Sequence, residues 1–378
     1  MTESNCENLI QNFLDSVYVL SHSKNSTDVY RTGIKHFTKF VQEQYQKSLK
    51  DIISAIKEEQ MDKYQILKDF VIYLDKAGKK PASIKIWVVG TKGFLKHSGI
   101  KIYHEDFKMT VRLPKRVQQR EEPLTKEIIL RIFNNVSAKI RTIILVATAS
   151  GMRIGEIIQL KLSDVDFDSK PTKIRIRADI TKTRESRETF LTVEATNSLK
   201  DYLTRFFEWK EDESNKNLQD LLIFSRTSKS YRKSNNDRKK TPQQNNSSIL
   251  INSMKRHIEN IPELSRLNEN GRHMVHFHAF RKYFRTVVGN AVGRDYAEAL
   301  MGHHFYLDTY YNLPEEKKRE MYLQAEPFLT ISDYARIEKD LHSVKQRQKQ
   351  IEEKQLDLIQ LINDDHMKLP ASLQKYLQ

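Results

Sequence analysis

The stretch Ser150-Gly-Met-Arg-Ile-Gly-Glu-Ile-Ile-Gln-Leu160 follows an apolar run that predicts a helix over about 139–149, stopping near Ser150-Gly151. A new helix is expected from near Met152, with Ile154, Ile157, Ile158 and Leu160 on its buried side. Arg153 falls in the first turn of that helix, the end where the helix dipole disfavours a cation, so something other than helix stability selects it. Gly151 and Gly155 leave the backbone close to whatever Arg153 reaches. Glu156 reads as structural, orienting Arg153 or its helix.

Downstream of this stretch lies the one clear strand signal. Lys173-Ile-Arg-Ile-Arg-Ala178 and Glu188-Thr-Phe-Leu-Thr-Val193 both alternate, and polar residues 179–187 lie between them, the pattern of a hairpin with a long loop. Helices are expected around 194–209 and 247–259. Between them, Ser225–Asn246 carries seven Lys and Arg (Arg226, Lys229, Arg232, Lys233, Arg238, Lys239 and Lys240) against Asp237, a net of +6. Such a polar, cationic loop suits an arm that orders on a phosphate backbone.

Upstream, Thr125 is a candidate N-cap for a helix through Val136. Residues 108–122 have no period, contain a proline and carry Arg112, Lys115, Arg116 and Arg120, so they read as a basic linker. Residues 1–107 read as all-helical. Tyr30, Ile34, Phe37 and Val41 fall at helical spacing behind the capping region Asn25-Ser-Thr27, with Tyr45 extending the stripe. Further helices carry Leu67, Phe70, Val71 and Leu74, then Ile84, Trp87, Val88, Phe94 and Leu95. On the last of these, Lys85, Lys92 and Lys96 share a stripe that suits a helix laid along a phosphate backbone.

In the tail, Ile337, Leu341, Val344, Ile351, Leu358 and Ile362 follow alternating steps of three and four, with Gln348 and Gln355 filling the gaps. That is a heptad seam over 333–363, suited to a coiled coil or to a helix docked on its own domain. The expected architecture is mainly α with a small β-hairpin. A helical domain spans 1–107, the linker 108–122, an α+β domain 123–330, and a C-terminal helix 331–378.

The whole chain of 378 residues has 64 Lys+Arg against 49 Asp+Glu, a formal charge of +15. The charge points to a polyanionic partner, nucleic acid first and an anionic membrane second. The basic residues form no amphipathic anchor, so a membrane partner is not expected. The longest apolar run, Ile143-Ile-Leu-Val-Ala147, is far short of the roughly 20 residues a membrane span needs. The start, Met1-Thr-Glu-Ser-Asn-Cys-Glu, has no secretory pattern, and a cytoplasmic, nucleoid-associated protein is expected. A single cysteine, Cys6, excludes an intrachain disulfide framework and a Cys-cluster zinc site. No phosphate-binding glycine loop and no His-Glu-x-x-His occur. His273, His276, His278, His303 and His304 lack companion carboxylates at ligand spacing, so neither metal nor cofactor is expected.

Proton-transferring and cationic residues recur further on. His278-Ala-Phe-Arg281 places an imidazole and a guanidinium three apart on one helix face, and Gly302-His303-His304 and Thr309-Tyr-Tyr-Asn312 follow. Each piece is common alone. In this order, with Gly151-Met-Arg153-Ile-Gly-Glu156 before them and Lys182 on the hairpin loop, the second domain resembles the tyrosine recombinase/integrase family. The Tyr-Tyr doublet and the Pro-Glu-Glu after it look most like archaeal and archaeal-virus members.

The resemblance implies strand cleavage by tyrosine attack on a DNA phosphodiester, through a 3′-phosphotyrosine link. Arg153, Arg281 and His303 would serve as donors to the non-bridging oxygens, His278 as acceptor of the tyrosine proton, and Lys182 as donor to the leaving 5′-oxygen. Lys173 and Arg184 are alternatives to Lys182. The family's tyrosine usually lies nine residues after the Gly-His histidine, but Asn312 stands there; Tyr311 at eight is the nearer match and Tyr310 at seven the alternative. The resemblance further implies double-stranded DNA as partner and a tetramer on two DNA sites. Two other outcomes are an accessory DNA-binding factor of the same fold, and a type IB topoisomerase or transposase with the same chemistry.

Overall fold

The computed structural model describes residues 3–115, 122–210, 218–224, 243–268, 273–303, 313–332, 344 and 347–356. The chain divides into two compact units, Met1–Gln118 and Gln119–Gln378.

The first unit is helical: α1 (Glu3–Ser21), α2 (Lys24–Tyr45), α3 (Leu49–Lys57), α4 (Lys63–Lys76), α5 (Pro81–His97) and α6 (His104–Thr110). Helix α2 begins earlier than the sequence predicts. Its N-cap is Ser23, whose side chain accepts from the Ser26 amide, so Asn25, Ser26 and Thr27 lie inside the first turn. The apolar stripes meet in one core in which Phe37, Phe40, Phe70, Leu67, Ile84, Val88, Phe94 and Leu95 are buried. Helices α2 and α5 pack at close range because Gly33 faces the α5 backbone: a Cβ there would lie 2.9 Å from Trp87 Cα and O.

The expected linker starts inside this unit. Residues 108–110 finish α6, and Val111 is buried in the first core with Leu113 packed against it. Arg112 and Lys115 are exposed beyond that anchor; Arg116 lies outside the described residues. Of the three lysines on α5, Lys85 and Lys96 are exposed, whereas the Lys92 ammonium sits 4.3 Å from the centre of the Phe107 ring. Lys92 is thus occupied by a cation–π contact within its own unit, and burial, with Lys96 nearby, lowers its pKa.

The second unit opens with α7 (Lys126–Phe133), capped by Thr125, then α8 (Ala138–Ser150) and the short α9 (Ile154–Ile157). A three-stranded antiparallel sheet follows: β1 (Val165–Asp166), β2 (Lys173–Ile176) and β3 (Arg187–Phe190). The hairpin register pairs Ile174 with Thr189 and Ile176 with Arg187. Strand β1 pairs Val165 with Ile174 and was not anticipated, because two residues are too few to show alternation. Then come α10 (Val193–Phe207), α11 (Gln243–Glu259), α12 (Phe277–Ala291), α13 (Arg294–Met301) and α14 (Glu315–Leu329).

Helix α8 is the core of this unit. Ile143, Ile144, Val146 and Ala147 are buried on more than one of its sides, and α10, α12 and α14 pack around it. Residues 347–356 are helical and exposed throughout, with Val344 and Ile351 also exposed. The other apolar heptad positions, Ile337, Leu341, Leu358 and Ile362, lie outside the described residues, as do Lys233, Arg238, Lys239 and Lys240. Among the described residues no helix is long and apolar enough to cross a membrane.

Gly33→Ala tests the close approach of α2 and α5. The added methyl meets backbone rather than a movable side chain, so the helices must separate, and a loss of about 1–3 kcal/mol is expected, the scale of overpacking. Urea unfolding followed by Trp87 fluorescence reads the change.

Candidate active site

The C-terminus of α8 organises the site. The last carbonyls of a helix have no partner within it. Here three successive ones are satisfied by three other elements. Ala149 O accepts from the Tyr322 hydroxyl of α14 at 2.8 Å, Ser150 O from the Thr189 hydroxyl of β3 at 2.9 Å, and Gly151 O from Nη1 of Arg281 on α12. Gly151 ends the helix at φ +64°, and a Cβ there would strike the Phe284 ring at 2.4 Å, so only glycine lets α12 come this near.

Arg153 follows at once, as the N-cap of α9 rather than within its first turn. Glu156 folds back onto it: the Arg153 amide donates to Oε2 at 2.8 Å and Nη1 lies 3.0 Å from Oε1. The same carboxylate receives both terminal nitrogens of Arg187 from β3, at 3.1 and 2.6 Å. Glu156 is 1% exposed, so the sequence reading of it as the residue that orients Arg153 agrees with its geometry, and Arg187 shares it. Burial acts to raise the Glu156 pKa. The hydrogen bonds and charges of Arg187, then Arg153, overcome this and hold it below the ordinary carboxylate value.

Arg281 is the most buried cation of the cluster, at 1% exposure. Besides Gly151 O it donates to Met301 O at 2.7 Å, and its Nη2 lies 3.0 Å from His303 Nε2. Its Nε has no partner among the described residues. Burial, then the nearby Arg153, push its pKa down to about 9, partly offset by Glu156 and with Arg187 adding to the fall; it remains protonated at neutral pH. His303 follows Gly302, which ends α13 at φ +66° against the Arg187 side chain. Its Nδ1 contacts Oε2 of Glu298, a carboxylate 2% exposed that also holds Arg285.

Glu156 thus holds Arg153 and Glu298 holds His303, while Arg281 joins the group through its contact with the His303 ring. Their side chains differ in access: Arg153 keeps 30% exposure and His303 36%, so solvent reaches these two. His278 and Arg281 share α12, but the expected common face divides: Arg281 is buried and His278 is exposed in the first turn. Lys182 is exposed on the loop before β3. That loop is braced by buried Thr181, whose hydroxyl contacts Ala178 O and Glu185 O at 3.0 Å each and accepts from the Glu185 amide. Lys173, the alternative, is tied to Glu315 at 2.9 Å and Glu188 at 3.6 Å, and the Glu315 hydrogen bond is the chief cause of its raised pKa. Arg184, the other alternative, is exposed at φ +61°. Tyr310, Tyr311 and His304 lie outside the described residues.

Arg187, Arg285 and Glu298 were missed in the sequence. Arg187 left a faint signal: it sits two residues before inward-facing Thr189, so strand alternation places it on the inner face. Arg285 stands four residues after Arg281 on one helix, the spacing of a shared face.

Glu156→Gln keeps the shape and removes the charge that balances Arg153 and Arg187. It should destabilise the second unit by about 3–5 kcal/mol, the scale of breaking one side of a buried ion pair. The folded carboxyl lies below its unfolded value. Its contribution is therefore complete above the ordinary carboxylate range and is lost as pH falls through that range to the depressed folded value. Urea unfolding should show a wide gap between wild type and variant at about pH 7 that narrows at about pH 4.

Residues 122–309 match the sequence profile of the phage integrase family. Against curated protein sequences nothing matches. Among solved structures, a lambda integrase (75–356) dimer bound to a COC′ core site is similar with TM-score 0.52 and 14% identity, covering 85% of this chain and 94% of that one. A second lambda integrase dimer bound to a COC′ core site gives TM-score 0.51 and 14% identity over 82% of this chain and 79% of that one. A XerA recombinase structure gives TM-score 0.35 and 19% identity over 84% and 98%. The two lambda likenesses are likenesses of fold: a mostly helical chain with one small antiparallel sheet. With the profile lying over the domain that carries the arginine cluster, the chain belongs to the phage integrase family, the tyrosine recombinases.

Proposed function

We propose that the protein is a site-specific DNA recombinase that cleaves and rejoins strands through a 3′-phosphotyrosine intermediate. The observation that carries this reading is the setting of Arg281. A buried guanidinium is ordinarily neutralised by a carboxylate. Among the described residues Arg281 instead contacts two backbone carbonyls and a histidine ring, and its Nε is unpaired. That leaves a fixed positive charge for an anion, beside a second guanidinium on Arg153. Both match the oxygens of a phosphodiester, whose transition state gathers further negative charge.

The tyrosine, with an ordinary pKa near ~10, needs a proton acceptor. Exposed His278 is the candidate, with Tyr311 as nucleophile and Tyr310 as the alternative. The departing 5′-oxygen needs a proton, and Lys182 on its braced loop is the donor. The arginines supply the charge stabilisation that a metal would supply elsewhere, and the phosphotyrosine keeps the energy of the broken bond, so the chemistry calls for neither metal nor ATP. Double-stranded DNA is the partner, with Lys85, Lys96, Arg112, Lys115, Arg116, Lys233, Arg238, Lys239 and Lys240 on phosphates. Self-association into a tetramer on two DNA sites completes the reading, and the exposed heptad positions Val344 and Ile351 are available to it.

Covalent trapping tests the chemistry. The protein is incubated with DNA from its source, with chelator and without nucleotide, then quenched in SDS and the DNA-bearing peptide mapped. An adduct at Tyr311 is expected; one at Tyr310 reassigns the nucleophile. Absence of any adduct with DNA binding intact makes the protein an accessory factor. Arg281→Ala should slow adduct formation by roughly 10²–10³-fold, the effect of removing one oxyanion donor.

Binding is tested separately. Each phosphate contact contributes a slope of about −0.9 to the dependence of log affinity on log salt. Replacing Lys233, Arg238, Lys239 and Lys240 by Ala should reduce the slope by about 3–4 if all four meet phosphates, with cleavage geometry unaltered. An unchanged slope removes that loop from the DNA surface.

A further inference from the structure

His303 is held on both ring nitrogens. Nε2 lies 3.0 Å from Nη2 of Arg281, and Nδ1 contacts Oε2 of Glu298. A guanidinium nitrogen only donates, so Nε2 accepts; a carboxylate only accepts, so Nδ1 carries the hydrogen. The two contacts assign the neutral Nδ1–H tautomer to the DNA-free protein. Such a ring has nothing to offer a phosphate oxygen, which is itself an acceptor. Before it can donate to a phosphate, Nε2 has to gain a proton.

The groups facing the ring come from several elements. Glu298 and Arg294 stand on α13, and Arg281 and Arg285 on α12. Behind Arg281 lie Arg153 at the start of α9 and Arg187 on β3, with Glu156 between them. The arginines oppose a further positive charge on the ring, and Glu298 is the carboxylate in direct contact with it. Gly302 makes that contact possible: its left-handed turn brings the His303 amide to Glu298 O at 3.1 Å and the ring back over the Glu298 side chain.

We propose that Glu298 is a positioning residue that lets His303 take up one proton at Nε2 when a DNA phosphodiester arrives, converting the ring from acceptor for Arg281 to donor for the phosphate. This rests on the phosphodiester-cleavage reading. The proton comes from solvent, and the released Arg281 nitrogen turns to the phosphate as well. When the DNA leaves, the proton returns to solvent and the Arg281–His303 contact re-forms. Burial acts to raise the Glu298 pKa, but the hydrogen bonds from His303 and Arg285 hold it below the ordinary value, so the carboxylate stays ionised beside the ring.

Two measurements on the full chain test this. In the first, inorganic phosphate is titrated into protein at about pH 7.5 while ¹⁵N shifts of the His303 ring are followed by NMR. The wild type should pass from the neutral Nδ1–H tautomer to imidazolium, and Glu298→Gln should stay neutral. A wild-type ring that stays neutral, or a variant ring that converts as the wild type does, overturns the proposal. In the second, single-turnover adduct formation is compared for wild type and Glu298→Gln across pH. The ratio of the two rates cancels the ionisation of the tyrosine, which both proteins share. The variant should be within about threefold of wild type near pH 5.5 and slower by roughly tenfold or more near pH 8, because the substitution removes the carboxylate that balances the charge on the ring. A ratio constant with pH makes Glu298 only a scaffold residue, and Glu298→Asp should restore the wild-type profile in part. If the wild type forms no adduct at any pH, the cleavage reading fails and the phosphate titration still decides the proton uptake. If Glu298→Gln does not fold, the wild-type titration alone decides.

Discussion

The second unit depends on two carboxylates that water cannot reach. Glu156 and Glu298 are each almost wholly buried, and between them they hold Arg153, Arg187, Arg285 and His303 around Arg281. Cations brought this close repel one another, and burial strengthens the repulsion because little water remains to screen it. Each carboxylate lowers that cost locally and fixes where its cations point. The arrangement is uneven, since among the described residues Arg281 has no carboxylate of its own. Among the described residues the cluster thus has a deficit of negative charge at its centre, the feature on which the proposed phosphodiester chemistry rests.

The two units meet different demands. The first is a conventional packing problem, solved by aromatic rings and a glycine that lets two helix backbones touch. Its cations are peripheral, and one of them, Lys92, is used to cover Phe107. The second unit has an equally apolar interior, but that interior serves to aim polar groups. Helix α8 is buried on more than one side, and three neighbours bond to the carbonyls at its end.

Much of this was legible in the sequence. Strong helical stripes such as Leu67-Phe70-Val71-Leu74 and the alternation at Lys173–Ala178 named their elements correctly. Of the residues that carry the resemblance, Arg281 contacts His303, and Arg153 lies near enough to act on the Arg281 charge. What could not be read is the pairing of charges across the fold. Arg187 meets Glu156 over 31 positions, and nothing local in the chain announces that partnership. Strand β1 was too short to carry a period, and the α2 cap moved to Ser23 because several adjacent polar residues could each have served. The i, i+3 spacing of His278 and Arg281 was right about the helix. It could not tell that one residue sits at the open end and the other in the interior.

The three carbonyls at the end of α8 have one more consequence. Arg281 is gripped by Gly151 O at the end of α8 and by Met301 O at the end of α13, two carbonyls 150 positions apart in the chain. Its position is therefore defined only after both helices have docked. A chain emerging from synthesis with α8 formed and α13 still unmade lacks one of the two carbonyls that fix this guanidinium. On the proposed reading, the guanidinium that meets the anion is set in place late, only once the chain has grown past Met301.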